Sequence, residues 1–434
     1  MKKIILITFV LVSMCNTLIA QQEKGIVGMN NWLSPWTEFQ PNQVAYDTPT
    51  QILTGEITSD TKLYKRDVYL LLGDVFVTDS TTLTIEPGTV IIGDFDTKGS
   101  LTISNGSKII AEGTQTDPIV FTSSKSRKKP GDWGGIFILG DAPTSKFGNE
   151  AVLNYGLKSS FSNLSYGGDN VESDSGILKY VRIEYAGKRT ARFGYFNGLT
   201  LAGVGHQTII DEIMVSHCNG NSFSVLGGYV YLENLVSFKS NGNDYEFNLG
   251  TQCNIVNSLA VRSPYVSGAN ASRCLNILAY SEKEDNDFSK EQTRIDAQNL
   301  TLINLSDDLT YDISVGLVTE AIFIGESTSF SIDKSVISGF NPAVYLDENI
   351  KINNENLQNI LFTSTYFNNC EGNIFVKNYT NNEDLENWYG NRAFSNVYSK
   401  GPDSETFINV KTSKRPDFRL RINKIMASSF AVED

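Results

Sequence analysis

The feature that most constrains this chain is internal repetition at roughly the length of one coil of a solenoid. Leu83-Thr84-Ile85-Glu86-Pro87-Gly88-Thr89-Val90-Ile91-Ile92 matches Leu101-Thr102-Ile103-Ser104-Asn105-Gly106-Ser107-Lys108-Ile109-Ile110 as L-T-I-x-x-G-x-x-I-I, at an offset of 18. Each half reads as a short alternating strand, a glycine corner and a second short strand. Alternation places Leu and Ile on one face and Thr, Ser and Glu on the other, and glycine allows a corner backbone that a side chain would hinder. Further along, Cys218-Asn219-Gly220-Asn221-Ser222-Phe223 matches Ser240-Asn241-Gly242-Asn243-Asp244-Tyr245 at an offset of 22. Corner chemistry repeating at about 20 residues is expected of short strands stacked coil upon coil at about 4.8 Å. In such a stack Asn219 with Asn241 and Asn221 with Asn243 form amide ladders, a structural use that competes with ligand binding.

Other β-rich runs follow at similar intervals, among them Tyr180 to Tyr185, Ile213 to Val215, Leu235 to Phe238, Leu300 to Ile303 and Ile360 to Thr363. Long amphipathic helices are missing, and one short helix is expected near Asp384 to Tyr389. Parallel strands need crossovers, and with no helices to supply them the strands must coil. The expected fold is therefore all-β, a right-handed parallel β-helix over residues 61–420. Residues 21–60, with Trp32 and Trp36, are expected to cap its first coil, and residues 421–434 to form a tail. Two stretches break the rhythm and read as excursions: Ala142 to Ser175, rich in Gly, Ser and Asn, and Ser281 to Gln298, which carries a charged run. Long loops on a rigid scaffold are where binding tends to reside.

At the N-terminus, Lys2 and Lys3 precede an apolar run of about nine residues, Ile4 to Val12, and Leu18-Ile19-Ala20 offers a cleavage point. A spanning helix needs about twenty residues, so residues 1–20 read as a cleaved signal peptide and the chain as exported. The rival reading, a lipoprotein box ending at Cys15, has bulky Met14 where a small residue belongs. The whole chain carries 36 basic and 49 acidic side chains, a net −13. Cleavage removes Lys2 and Lys3 and makes the balance more acidic. Phosphate backbones repel such a chain, which excludes nucleic acid as the expected partner and favours carbohydrates or envelope proteins, with membrane attachment peripheral at most.

The runs ITSDTKLYKRDVYLLLGDVFVTDSTTLTIEPGTVIIGD, KGSLTISNGSKIIAEGTQTDPIVFTS and GDWGGIFILGDAP resemble exported β-helix proteins widespread in Bacteroidetes, as do GILKYVRIEYAG, NGLTLAGVG and TIIDEIMVSH. The likeness is dense from about Ile57 to Phe247. Closing Arg415-Pro416-Asp417-Phe418-Arg419-Leu420 resembles a last coil, without the usual Gly-Ser-Pro-Ala continuation. The resemblance implies an exported β-helix, often at the cell surface, and assigns no catalytic residue. Relatives tend to carry acidic pairs at the corners where this chain has Asn219-Gly220-Asn221 and Asn241-Gly242-Asn243, which removes the basis for a cation there.

Candidate chemistry is sparse. The basic cluster Lys188, Arg189 and Arg192 beside Phe193, Tyr195 and Phe196 could hold a sugar acid by ion pairing and stacking. Its competing reading is a solvated loop with partly buried rings. Asp94 and Asp96 are a weak calcium pair, and no other cofactor is expected. Asp244 and Glu246 read as solvated turn carboxylates without a third partner one coil away. His217 beside Cys218 is not a dyad, because adjacent strand residues face opposite ways. Cys218, Cys253, Cys274 and Cys370 contain no C-x-x-C pair, which excludes a zinc ribbon. Cys253 and Cys274 are one coil apart in number, and stacking or burial as small apolar residues both fit. The leading expectation is a non-catalytic β-helix that binds glycans or envelope proteins, and its rival is a polysaccharide lyase or hydrolase. An enzyme should gather three carboxylates, or carboxylates with an Arg or Lys, on one lateral face. A scaffold should show Asn, Ser and Thr ladders there.

Overall fold

The computed structural model describes residues 24–28, 30–148, 150–266, 272–411, 414–421 and 423–424. The expected signal peptide and most of the expected tail lie outside them. Within them the chain forms three parallel ladders, which together make one parallel β-helix. Ladder A runs from Thr61–Leu63 through Tyr229–Glu233 to Ile360–Thr363. Ladder B runs from Gln51–Ile57 through Val236–Phe238 to Val397–Ser399. Ladder C passes through Ser100–Ile103, Tyr245–Asn248 and Ile322–Ile324 and ends at Ile374–Val376. Long strands such as Gly176–Glu184 and Ile209–Ser216 serve ladders A and B in turn, bending at Tyr180 and Glu212.

That bend needs one residue in the left-handed region on each coil. Tyr180, Glu212, Asn234, Asn257, Asn299, Lys334 and Ser364 supply it, with φ between +48° and +56°. Asparagine tolerates this conformation better than most side chains, and two of these asparagines also hydrogen-bond, Asn257 Nδ2 donating to Asn234 Oδ1 at 2.7 Å.

The interior is a continuous apolar column. Leu83, Ile109, Leu178, Ile210, Leu232 and Ile255 fill it from ladder A, and Leu199, Phe223, Tyr245 and Leu275 from ladder C. Phe223 and Tyr245, in direct register, stack at 5.1 Å with an interplanar angle of 8°. Helix Glu383–Tyr389, the one expected, closes the far end: Leu385 and Tyr389 join the core, and the Tyr389 hydroxyl donates to the Ile360 carbonyl at 2.9 Å. Cys218, Cys253, Cys274 and Cys370 are buried free thiols. Cys253 faces the interior from ladder A, while Cys274 precedes a ladder C strand, so numerical spacing does not stack them.

Both sequence repeats are real but mean different things. The 22-residue repeat is one coil: Phe223 pairs with Tyr245. The 18-residue repeat is not. Leu83 pairs with Ile109 and Leu101 with Ile136, so Leu83 and Leu101 occupy ladders A and C of the same coil.

The outer face of ladder B is as apolar as the inner one, with Met214, Val236, Phe238, Leu259, Val261, Ile303 and Val336 pointing away from the core. The N-terminal segment covers it. The Gly25 N–H donates to the Lys334 carbonyl (2.8 Å), the Val27 N–H to Asn257 Oδ1 (2.8 Å), and Trp36 meets Tyr180 edge-on at 5.9 Å. Tyr46 accepts from Arg182 (2.9 Å), and Thr50 then leads into Gln51–Ile57, the first rung. The expected cap is thus a strap running back along the solenoid, because an outward apolar stripe demands burial more strongly than a coil end does. The closing residues join it. Phe407–Asn409 and Asp417–Leu420 form an antiparallel pair rather than a last coil, and Arg419 donates to the Gly28 carbonyl at 2.6 Å. The second excursion is also shorter than expected, since Arg294–Gln298 is a rung of ladder A.

Trp36 is fully buried in this strap. Replacing it with alanine should cost about 3–5 kcal/mol, read as a fall in the urea midpoint. An unchanged midpoint would show that the strap contributes nothing to stability.

Candidate functional site

Alternation decides which side chains leave the solenoid. On ladder C, Leu199, Phe223, Tyr245 and Leu275 point inward, so the registered column Phe137, Thr200, Ser224, Glu246, Asn276, Phe323, Tyr345 points out. Long connections flank this column on both sides, residues 185–198 and 305–321 from ladder B, and 140–175 and 278–293 towards ladder A. The excursion 140–175 folds over one end, where Leu153, Leu157, Leu164 and Tyr166 cluster on Phe137 and Phe196. Tyr155 meets Phe137 at 5.3 Å and Phe196 at 5.4 Å at one end of this polar column, in which Thr200, Ser224 and Asn276 are buried and Glu246 is half-buried.

Beside this column lies the amide corner. Asn241 Nδ2 donates to Asn219 Oδ1 (2.9 Å), and the Asn243 N–H to Asn221 Oδ1 (2.9 Å). The Asn221 N–H donates to Asn197 Oδ1 (3.2 Å) and the Arg273 N–H to Asn243 Oδ1 (2.9 Å). The ladder expected of Asn219 and Asn241, and of Asn221 and Asn243, is therefore present, and it continues beyond the repeat into Asn197.

Glu246 departs from its expected role. It is partly buried, and its Oε2 accepts from Asn243 Nδ2 (2.9 Å) and Asn276 Nδ2 (3.2 Å). Burial pushes its carboxyl above the usual range, while the amides of Asn276, Asn243 and Asn221 and the charge of Arg273 pull the other way. Arg273 extends the network: Nη1 donates to Asn276 Oδ1 (3.2 Å), Nε to Glu320 Oε1 (2.5 Å), and its guanidinium lies 4.5 Å from the Phe323 ring. Partners one and two rungs away thus exist, contrary to expectation. Asp244 is not solvated either. It is fully buried and paired with Arg262 at 3.0 Å, because the residue before an inward tyrosine falls at the buried corner. Ser224, in register with Glu246, is 1 % exposed, and its hydroxyl has no hydrogen-bond partner.

A second charged set occupies the outer face at the A-to-B bend. Lys179, Asp211 and Glu233 lie in register on successive rungs, with Glu212 at the bend itself. Lys179 Nζ lies 2.8 Å from Asp211 Oδ2 and 3.2 Å from Glu212 Oε2, and Asn234 Nδ2 donates to Asp211 Oδ1 at 3.0 Å. Burial, then the hydrogen bond and charge of Asp211, push Glu212 up to about 7. Burial opposes, but hydrogen bonds from Glu212, Lys179 and Asn234 hold Asp211 below its usual range. Burial and the neighbouring Asp211 carboxylate thus favour the protonated form of Glu212 at the foot of the Asn257–Asn234 amide ladder. This set meets the mixed carboxylate and lysine condition expected of an enzyme, whereas the ladder C column shows the amide ladder of a scaffold together with its own carboxylates and arginine.

The residues singled out from sequence are dispersed. Lys188 pairs with Asp74 (2.9 Å), donates to the Lys98 carbonyl (3.2 Å) and lies 4.2 Å from the Phe196 ring, so it and the buried Phe196 hold the hairpin in place. Arg189, Arg192 and Tyr195 are exposed at the hairpin tip, where Arg189 lies 5.9 Å from the Tyr195 ring. They do not converge with the ladder C column. Asp94 Oδ2 accepts from the Thr97 N–H (2.8 Å) and hydroxyl (2.7 Å), while Asp96 is exposed. Among the described residues no group of three or more acidic, His or Cys side chains could hold a metal ion. Phe95 between them lies under Lys98 (3.6 Å) and Lys125 (3.8 Å). Two cations at this loop argue against a calcium site. Burial, with the charge of Lys239, drops His217 to about 4, and its ring stacks on Phe238 at 5.6 Å. Among the described residues no helix is long and apolar enough to cross a membrane.

A family model for a pectate-lyase-like β-helix domain matches residues 55–407. The chain belongs to that family. Among solved structures it is similar in fold to the Dettilon tailspike protein, with 13% identity, a TM-score of 0.27, and coverage of 72% of this chain and 61% of that one. It thus spans about three-fifths of the tailspike's length. It is likewise similar to a periplasmic alginate epimerase, with 10% identity, a TM-score of 0.25, and coverage of 86% and 89%. No curated protein matches the chain. These likenesses concern fold alone and assign no residue of the family's β-helix a role here.

Glu212 provides a pH test. A carboxyl raised from 4.5 to about 7 in the folded state contributes stability that is present below pH 4.5 and lost as pH rises through 7. Glu212→Gln should therefore lose less stability than wild type between pH 4.5 and 7 in urea titrations. Parallel pH profiles would show that the Glu212 carboxyl is not raised in the folded state.

Proposed function

We propose that this chain is an exported glycan-binding β-helix of the cell envelope or surface, and that a polysaccharide chain lies along the outward face of ladder C at Glu246 and Arg273. The observation that carries the reading is the convergence of Asn243 and Asn276 on Glu246, with Arg273 and Glu320 completing the network. Sugar recognition needs a few fixed polar groups on a rigid frame, and rungs at strand spacing provide that frame. Membership in the pectate-lyase-like β-helix family and the acidic balance of the chain support a carbohydrate partner over nucleic acid. Export rests on the composition of residues 1–20.

A second reading, cleavage of the bound polysaccharide, is favoured by the Lys179, Asp211 and Glu212 set, whose near-neutral carboxyl suits proton transfer. One experiment separates the two. The chain is incubated with a panel of acidic and neutral polysaccharides, and both retention and new chain ends are recorded. Binding predicts retention without new ends, reduced about tenfold by Asn276→Ala. New ends abolished by Glu212→Gln would establish cleavage instead. Neither signal would overturn the glycan reading and turn the search to envelope proteins.

A further inference from the structure

Cations gather on this acidic chain, on earlier coils than Glu246. Three successive connections from ladder B to ladder C, residues 94–99, 124–135 and 185–198, carry eight lysines and arginines against three aspartates, a local balance of +5 on a chain of net −13. Lys98 ties the three together. Its Nζ donates to the Gly131 and Asp132 carbonyls (both 3.3 Å), and Lys188 Nζ donates to its own carbonyl (3.2 Å). Lys98 and Lys125 lie 3.6 and 3.8 Å from the Phe95 ring. Burial lowers the Lys98 ammonium from its ordinary value; Asp132 opposes this, and the charge of Lys125 adds to it. Lys188 has Asp74, but among the described residues Lys98, Lys125, Arg127, Lys128 and Lys129 have no carboxylate at ion-pair distance. Asp132 is committed elsewhere, its Oδ2 accepting from the Ser123 hydroxyl (2.6 Å) and the Lys129 N–H (2.9 Å).

Beside these cations a cavity of about 440 Å³ opens between strap residues 42–49 and residues 123–128. Half-buried Lys125 and Lys128 line it together with Ser124, Thr48 and Tyr46, and Asp47 is the one acid among its described lining residues. The Ser124 hydroxyl accepts from the Phe95 N–H (2.9 Å), which leaves its O–H to donate. We infer that this cavity is a second binding site, apart from ladder C, for a sulfate or phosphate ester carried on a glycan. Such an ester presents three terminal oxygens to hydroxyl and ammonium donors. Lysine acts on it as a compact point charge, whereas a planar carboxylate is better matched by the guanidinium fork that this cavity lacks. The acidic balance of the whole chain does not forbid an anion here. The Debye length is about 8 Å at physiological salt, so the ester feels the neighbouring lysines rather than distant carboxylates. A lipid surface fits less well, because residues 124–129, Ser-Lys-Ser-Arg-Lys-Lys, offer no apolar side chain to enter a bilayer.

The test titrates the full chain by calorimetry at pH 7 with dextran, carboxymethyl dextran and dextran sulfate, which share one backbone. Dextran sulfate should bind at least about tenfold more tightly than carboxymethyl dextran at equal substitution. Lys125→Ala combined with Lys128→Ala should weaken dextran sulfate about tenfold and leave dextran unchanged. Arg189→Ala combined with Arg192→Ala removes the same charge at the exposed hairpin tip and should weaken it by no more than about threefold. Equal losses from the two pairs would overturn the inference, since a diffuse field and not the cavity would then hold the polymer. Carboxymethyl dextran binding as tightly as dextran sulfate would also overturn it. So would recovery of the chain on phosphatidylglycerol vesicles without dextran sulfate binding. Dextran reports on the ladder C reading alone, so either proposal can fail while the other stands.

Discussion

Everything in this molecule depends on the parallel main-chain ladder. Once each rung hydrogen-bonds to the next, a residue's position in its strand decides its fate on every coil above and below. Inward positions become the column of Leu, Ile, Val and Phe. Outward positions become columns as well, and their chemistry differs by ladder: apolar on B, charged on A around Lys179 and Asp211, and polar on C around Glu246. The strap, the mixed charge set and the Glu246 network are three responses to those three outward columns.

Ladder B shows the consequence most plainly. An outward stripe containing Val236, Leu259 and Val336 cannot remain wet, and residues 24–43 together with the Phe407–Asn409 and Asp417–Leu420 pair bury it. The two terminal segments meet there, Asn31 donating to the Pro416 carbonyl at 2.7 Å. This arrangement leaves ladder C as the face where polar side chains converge beside long connections. The fold places its stabilising cover and its candidate binding surface on different ladders, so a change in one need not disturb the other.

Much of the fold was legible because stacking repeats corner chemistry. Asn219-Gly220-Asn221 and Asn241-Gly242-Asn243 predict their own pairing, and the short helix near Tyr389 is visible from its composition. Pairing that crosses unequal insertions was not legible. Arg273 and Glu320 reach Glu246 and its neighbours only because they stand just before the ladder C strands Leu275–Ile277 and Ile322–Ile324, which are neighbouring rungs. Lys179 meets Asp211 across a connection of another length again, and no fixed spacing announces either contact. The basic cluster at Lys188, Arg189 and Arg192 misled for the converse reason. Neighbours in sequence are divided by the hairpin, Lys188 turning in to Asp74 while Arg189 and Arg192 stay out. Asp244 and Glu246 likewise differ by two positions and have different environments, one fully buried against Arg262 and the other half-buried on the outer face beside Asn243.

The central claim is that ligand binding belongs to the outward column of ladder C. Hydrogen exchange with and without a soluble neutral glucan tests it most directly. The account predicts slowed exchange in residues 219–226, 241–248 and 272–277, with the strap at 24–43 unchanged. Protection confined to the strap, or to the rungs carrying Lys179 and Asp211, would contradict it.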